Sequence, residues 1–214
     1  MAPTSEPLRG GFVLLDPEQG RVLRVVPFQY NPDTLTRTLQ PQGVGGGAGD
    51  RLEALRLKGP PHETFKFDAE FDAADQLGSG GLPNPTVGVG LFGVLSALET
   101  AVYPSSAQLL HENGLAGNGM LEIAPEEAPL TLLVLGARRV VPVRITDLSV
   151  TEEAYDGDLN PVRAKVALTV RTLTVDDVGF THKAGALYLR YQQDKERLAG
   201  LPVSNPAAVG FTGI

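Results

Sequence analysis

Residues Val140 to Val175 read VVPVRITDLSVTEEAYDGDLNPVRAKVALTVRTLTV. The stretch predicts two long strands joined by a polar tip. In the second, Ala164, Val166, Leu168 and Val170 share one phase, while Arg163, Lys165, Thr169 and Arg171 share the other. That period of two marks a strand with one apolar and one polar face. The first strand puts Val143 and Ile145 on one phase and Leu148 and Val150 on the other, so a β-bulge or a change of covered face is expected near Asp147. Between them, Asp156-Gly157-Asp158 and Asn160-Pro161 are turn formers: Gly tolerates positive φ, Asp and Asn bond the nearby backbone, and Pro fixes φ.

A strand of twelve residues is roughly 40 Å long. Two such strands predict a protruding, half-polar hairpin with exposed edges, which invite pairing with other chains. Two readings follow. One is an ordinary hairpin of a β-sandwich; the other is a hairpin that completes a sheet across neighbouring subunits of a ring.

Outward from the hairpin, Leu130–Leu135 is a short apolar strand, and Gly136-Ala137-Arg138-Arg139 turns it into the hairpin, so 130–172 is expected to be a three-stranded meander. Upstream, His62–Asp72 (HETFKFDAEFD) alternates cleanly. Phe65, Phe67, Ala69 and Phe71 form a core row, and Asp68, Glu70 and Asp72 form an acidic row in ~7 Å steps. A straight strand spreads carboxylates along a line, which suits a solvated or interface row better than a cation site. Gly11–Asp16 and Arg21–Tyr30 are expected strands around a Pro17–Gly20 turn, with Pro27 marking an edge or bulge and Asn31-Pro32 ending the second strand. Thr34–Gln40 is expected to run on in extended form towards a partner. Met120–Ile123 reads as a further strand. Helices are expected over Leu91–Tyr103, closed by Pro104, and over Ala184–Leu198. The chain divides into a loose arm (1–10), one domain (11–200) and a tail without periodicity (201–214).

The composition excludes several classes. With no cysteine there are no disulfides or thiolate metal sites. The formal charge of −7 and the lack of a basic block argue against a nucleic-acid footprint. No apolar run approaches the ~18 residues of a membrane span, and the N-terminus MAPTSEPLRGG lacks the apolar core of a secretory signal. The glycine-rich QGVGGGAGD (42–50) has no Gly-Lys-Ser/Thr ending and no flanking dinucleotide-binding unit, so it reads as a connector. His62, His111 and His182 stand singly, no nucleophile elbow exists, and neighbouring Glu152 and Glu153 point to opposite faces of a strand. No catalytic residue, cofactor or metal ligand is nominated, and the chain is not expected to be an enzyme.

The run Val150, Thr151, Glu152, Glu153, Tyr155, Asp156, Leu159, Asn160, Pro161, Arg163, Ala164, Lys165 and Val166 resembles the end of the conserved domain in the contractile injection system tube protein family, including the tube initiators of anti-feeding-prophage-like particles. Two further blocks resemble that family in order: Phe28, Gln29, Tyr30, Asn31 and Pro32, then Gly59, Pro60, Pro61 and Glu63. The resemblance covers roughly residues 10 to 200. It implies a six-fold ring whose lumen is lined by strands from all subunits, placed at the baseplate between a spike hub and the inner tube or a second tube-initiator protein. It implies assembly in the cytoplasm into a contractile particle, virion-like or extracellular after release. Many relatives continue into a LysM-like module, for which residues 199 to 214 are too few, leaving the bulk inner-tube protein as an alternative.

The fold class expected is mainly β with α: a tail-tube-like antiparallel β-sandwich or partly open barrel, with one or two flanking helices and a long central hairpin. Expected interface residues are Phe28, Gln29, Tyr30, Asn31, Pro32, Tyr155, Asp156, Leu159, Asn160 and Pro161. Expected lumen-facing residues are Arg163, Lys165, Thr169 and Arg171. The rival from another class is a ligand-binding β-sandwich, which the absence of Trp and the 6% aromatic content disfavour.

Overall fold

The computed structural model of the chain describes residues 8–44, 55–74, 89–117, 127–201 and 210. The expected strand at Met120–Ile123 and most of the expected arm, glycine-rich connector and tail lie outside the described residues. Seven strands form one antiparallel sheet: β1 (Gly11–Leu15), β2 (Val22–Pro27), β3 (Leu35–Gly43), β4 (Leu57–Asp72), β5 (Leu130–Val134), β6 (Val140–Tyr155) and β7 (Pro161–Thr172), in the order β2-β1-β5-β6-β7-β4-β3. Helices α1 (Phe92–Glu99), α2 (Ser106–Gly117), α3 (Val175–Val178) and α4 (Lys183–Ala199) complete it. The protein is therefore mainly β with flanking helices.

The meander over 130–172 is present as β5-β6-β7. Its first turn closes through Gly136 at φ 84°, a left-handed conformation that favours glycine, with Leu135 N–H donating to the Arg139 carbonyl at 2.8 Å. The phase slip near Asp147 is a register shift between Ile145 and Asp147. Strand β6 thus serves two partners. Val140–Val143 pair with β5, whereas pairing with β7 runs from Val143 to Tyr155.

The sheet curls upon itself without closing. β1 and β4 are four places apart in it, about 19 Å in a flat sheet. Yet the rings of Phe12 on β1 and Phe67 on β4 lie 6.3 Å apart, and Phe28, just beyond β2, meets both edge-on at 5.5 and 5.4 Å. The predicted core rows Phe65–Phe71 and Ala164–Val170 are buried in this cluster, and Leu91 at the N-cap of α1 with Leu95 and Leu98 within it complete it. Helix α4 bridges to a second cluster around Leu15, Leu130 and Leu132. It comes so close to the chain at Gly179 that a Cβ on Gly185 would sit 2.1 Å from the Gly179 carbonyl oxygen.

Several expectations are corrected. The β6–β7 hairpin does not stand clear of the body. β7 is an interior strand paired with β4 from Arg163 to Arg171 as well as with β6, and Leu91 N–H donates to the Pro161 carbonyl at 2.8 Å beside the tip. The Leu35–Gly43 strand pairs with β4 of its own chain, so its extended form has an internal partner. β4 starts at Leu57, five residues early, because its first part pairs only with β3. There Pro60 and Pro61 lack N–H groups without cost, and the register passes from Gln42↔Gly59 to Gln40↔His62 around them. The strand expected to reach Tyr30 ends at Pro27, and the helix expected to reach Tyr103 ends at Glu99. Helix α2 gave no periodic signal and buries little.

Replacing Phe67 by Ala removes the ring that joins the two layers. It should cost about 3–5 kcal/mol of unfolding free energy. Urea denaturation checks this, and a loss below about 1 kcal/mol would show that the layers do not depend on the cluster.

Candidate functional site

The expected lumen-facing residues lie on one face. The β4–β7 register sets Asp72 opposite Arg163, Glu70 opposite Lys165, Lys66 opposite Thr169 and Thr64 opposite Arg171. The acidic row of β4 therefore meets the basic row of β7. Arg163 donates to Asp72 from Nε at 3.1 Å and Nη2 at 2.9 Å. Lys165 Nζ lies 2.9 Å from Asp68 and 4.0 Å from Glu70. Asp68 beside it holds the Lys165 ammonium above the usual lysine range. Arg171 pairs with Asp177. Across β6 the same face carries Asp147, Ser149 and Thr151, opposite Thr169, Ala167 and Lys165. The outcome is a water-facing surface of paired charges. Such exposed pairs contribute little stability each, so the face is suited to hydration and not to strength.

Asp177 also anchors α3. Its carboxylate accepts from the Thr174 backbone N–H at 2.9 Å and the Thr174 hydroxyl at 3.1 Å, closing a capping box. Burial pushes this carboxyl up, but the bonds from Thr174 and the Arg171 charge outweigh it and hold Asp177 below the usual carboxylate range.

The 28–32 block is a clasp. Phe28 is fully buried. Gln29 imitates a strand at the end of β4, accepting from Asp72 N–H at 2.9 Å and donating to its carbonyl at 2.8 Å. Asn31 holds the start of β1, accepting from Gly10 N–H at 2.8 Å and donating to the Leu8 carbonyl at 3.0 Å. Tyr30 is exposed, and with Asn31, Pro32 and Asp33 it walls a shallow groove against Asp68, Glu70 and Lys165.

The hairpin tip divides likewise. Asp156 accepts from the N–H groups of Asp158 and Asn160 and from the Asn160 side chain, at 2.8–2.9 Å. The Asn160 bonds hold its carboxyl below the usual range. Pro161 is buried. Tyr155, whose phenol is pushed up by its bond to Glu152, and Leu159 reach solvent. Leu159 is the one described non-glycine residue with positive φ, at 64°, and its side chain is 74% exposed.

Glu63 follows Pro60-Pro61 on β4. It is 2% exposed and joins three elements: Tyr191 Oη donates to it at 3.0 Å, Lys195 Nζ at 2.8 Å, and Arg37 Nε approaches within 3.7 Å. Burial, then the Glu63 charge, push the Tyr191 phenol well up. A buried carboxylate needs such partners, and this one fixes α4 and the edge strand β3 to β4. A glutamate in phase with a phenylalanine row was the available signal.

Two features of the site depend on pairing that sequence spacing does not reveal. Among the described residues, β6 from Arg144 to Tyr155 has a strand on one side only, and so does β3. At the β6 edge lies a groove of about 420 Å³ lined by Glu99, Val102, Tyr103, Ile145, Leu148 and Val150. Among the described residues no three His, Asp or Glu side chains converge to hold a metal, and no helix is long and apolar enough to cross a membrane.

No protein-family model matches the chain, and no curated protein matches it. Among solved structures, a chain from the tail of an empty gene transfer agent (GTA) particle with C6 symmetry is similar at 10% identity and a TM-score of 0.30, over 77% of this chain and 90% of that one. A chain from the virion of a native GTA particle is similar at 10% identity and a TM-score of 0.30, over 79% and 95%. Likeness at that level carries no argument about this chain.

Replacing Leu159 by Gly removes the exposed side chain and relieves the positive φ, so the thermal midpoint of the monomer should hold or rise slightly while contacts made by the tip are lost. A fall of more than a few degrees would place Leu159 among the groups that hold the fold. Asp177→Asn should cost about 1 kcal/mol near neutral pH. Because the folded carboxyl sits below its unfolded value, the stability it supplies is present above pH ~4 and disappears as pH falls through the folded pKa. The stability–pH curve of the variant should therefore be flatter below pH ~4; a parallel curve would contradict the capping role.

Proposed function

We propose that this chain is a structural ring subunit of a contractile, phage-tail-like injection system. It sits at the baseplate, joins the spike hub to the inner tube and initiates tube assembly. It is made in the cytoplasm and built into the particle without catalysis. The motif resemblance supplies the particle, the hub and inner-tube partners and the six-fold symmetry. The supporting observation in the fold is that β3-β4-β7-β6 is a four-stranded sheet with one hydrated face and, among the described residues, no strand on its outer flanks along β3 and β6 from Arg144 to Tyr155.

The strand count matters. Neighbours alternate in direction across the four strands, so β6 and β3 run oppositely. Rotating one copy about an axis along the strands brings β6 of one subunit antiparallel to β3 of the next, and every junction repeats the last. Such a head-to-tail interface closes into a ring, and closure removes both free edges. Six copies give roughly two dozen strands, a barrel on the order of 50 Å across at about 4.8 Å per strand and a tilt near 40°. A barrel that wide has an aqueous channel, which accounts for the paired charges of Arg163 and Lys165 and for the absence of large apolar side chains from that face.

The test is to tag the native protein in its source cells, purify what it binds and image it by negative-stain electron microscopy. Sheathed rods labelled at one end are expected. Label along the whole rod would make the chain a bulk inner-tube subunit, and small particles without rods would overturn the ring reading.

A further inference from the structure

The ring reading leaves two features without a role. One is the groove beside the bare edge of β6, lined on its apolar side by Ile145, Leu148 and Val150 with the exposed Val102 and Tyr103, and on its polar side by Glu99, Thr146 and Asp147. The other is the arm formed where β3 and the start of β4 run on past the end of β7: β7 first meets β4 at Thr64, whereas β3 stays paired with it down to Leu57. This arm presents Leu39, 44% exposed, and Leu57, 70% exposed.

We infer that the groove is the socket for the β3–β4 arm of a second copy of this chain, with Leu39 as the side chain that enters it. The inference rests on the ring reading and names the contact that closes it. Phase supports it first. Leu39 stands opposite Glu63, in the row of β4 that continues as Phe65 and Phe67, and so belongs to the core-side face. Leu148 and Val150 stand opposite Leu168 and Val166 and belong to the same face. Joining β3 to β6 of the next copy therefore makes the apolar side continuous, and Thr36 and Thr38 extend the hydrated side beside Ser149 and Thr151. Length supports it next, since β3 has nine residues to lay along the stretch of β6 from Arg144 to Tyr155. Chemistry supports it last. An added strand gains its affinity from main-chain bonds and its specificity from pockets for alternate side chains, and the groove lies beside that bare edge. Glu63, by holding Arg37 of the same row, keeps β3 in place to enter.

The chain has no cysteine, so disulfide trapping is clean. Leu39→Cys is combined in turn with Leu148→Cys and with Val150→Cys in the full chain, assembled and mildly oxidised. At least one pair should give a ladder of linked subunits on a non-reducing gel, and each single variant should give none. Leu39→Asp should keep the monomer's thermal midpoint and weaken self-association at least tenfold. Rings that form while neither pair links, or that form normally with Leu39→Asp, would overturn the socket and leave the ring reading intact. If the unmodified chain forms no ring at all, the ring reading fails and the socket with it.

Discussion

Backbone N–H and C=O groups at a strand edge need partners, and the way β6 meets that need shapes this protein. Below its bulge β6 is paired first with β5, from Val140 to Val143, and then with β7, and only Val143 pairs with both. From Arg144, just before the bulge, to Tyr155, its outer flank has no strand among the described residues. β6 belongs to two layers: its first part pairs with β5, and the rest joins β7, β4 and β3 in a sheet with a hydrated face and, among the described residues, two open flanks. The phenylalanine cluster then holds the layers together, since Phe12 and Phe67 touch only because the sheet has turned.

The same arrangement separates residues that hold the fold from residues that face outward. Phe28, Gln29, Asn31, Asp156 and Pro161 are used inside the chain, whereas the side chains of Tyr30, Tyr155 and Leu159 reach solvent. The residues of the Phe28–Pro32 and Tyr155–Pro161 blocks thus include both kinds. Gln29, Asn31 and Asp156 satisfy backbone groups at strand ends and turns with their side chains, and Asn160 bonds the Asp156 carboxylate. Glu63 belongs with them, because a carboxylate enclosed by Tyr191, Lys195 and Arg37 ties a helix to an edge strand.

Much of this was legible in the sequence because it is local. A period of two places Val166 and Leu168 inward and Lys165 outward whatever the partner strand is, and the phase change at Asp147 announces the bulge. Period alone also found the phenylalanine row and α4. It did not reveal which strand lies beside which. The β4–β7 and β1–β5 pairs join residues far apart in sequence, so of the hairpin's two expected free edges the β7 edge is covered by β4, while the β6 edge is bare among the described residues. Pro60-Pro61 hid the start of β4 for a related reason: proline is tolerated there because that stretch has a partner on one side only. α2 was missed because Leu109 and Leu110 are adjacent and exposed, which leaves no stripe to read.

The central claim is that the bare flanks of β3 and β6 meet when the protein assembles. Hydrogen–deuterium exchange, compared between dilute monomer and assembled particles, tests it directly. The account predicts that amides within 35–43 and 144–155 exchange quickly in the monomer and become strongly protected on assembly, while β7, paired on both sides already, is protected in both. Equal exchange of 35–43 and 144–155 in the two states would contradict it.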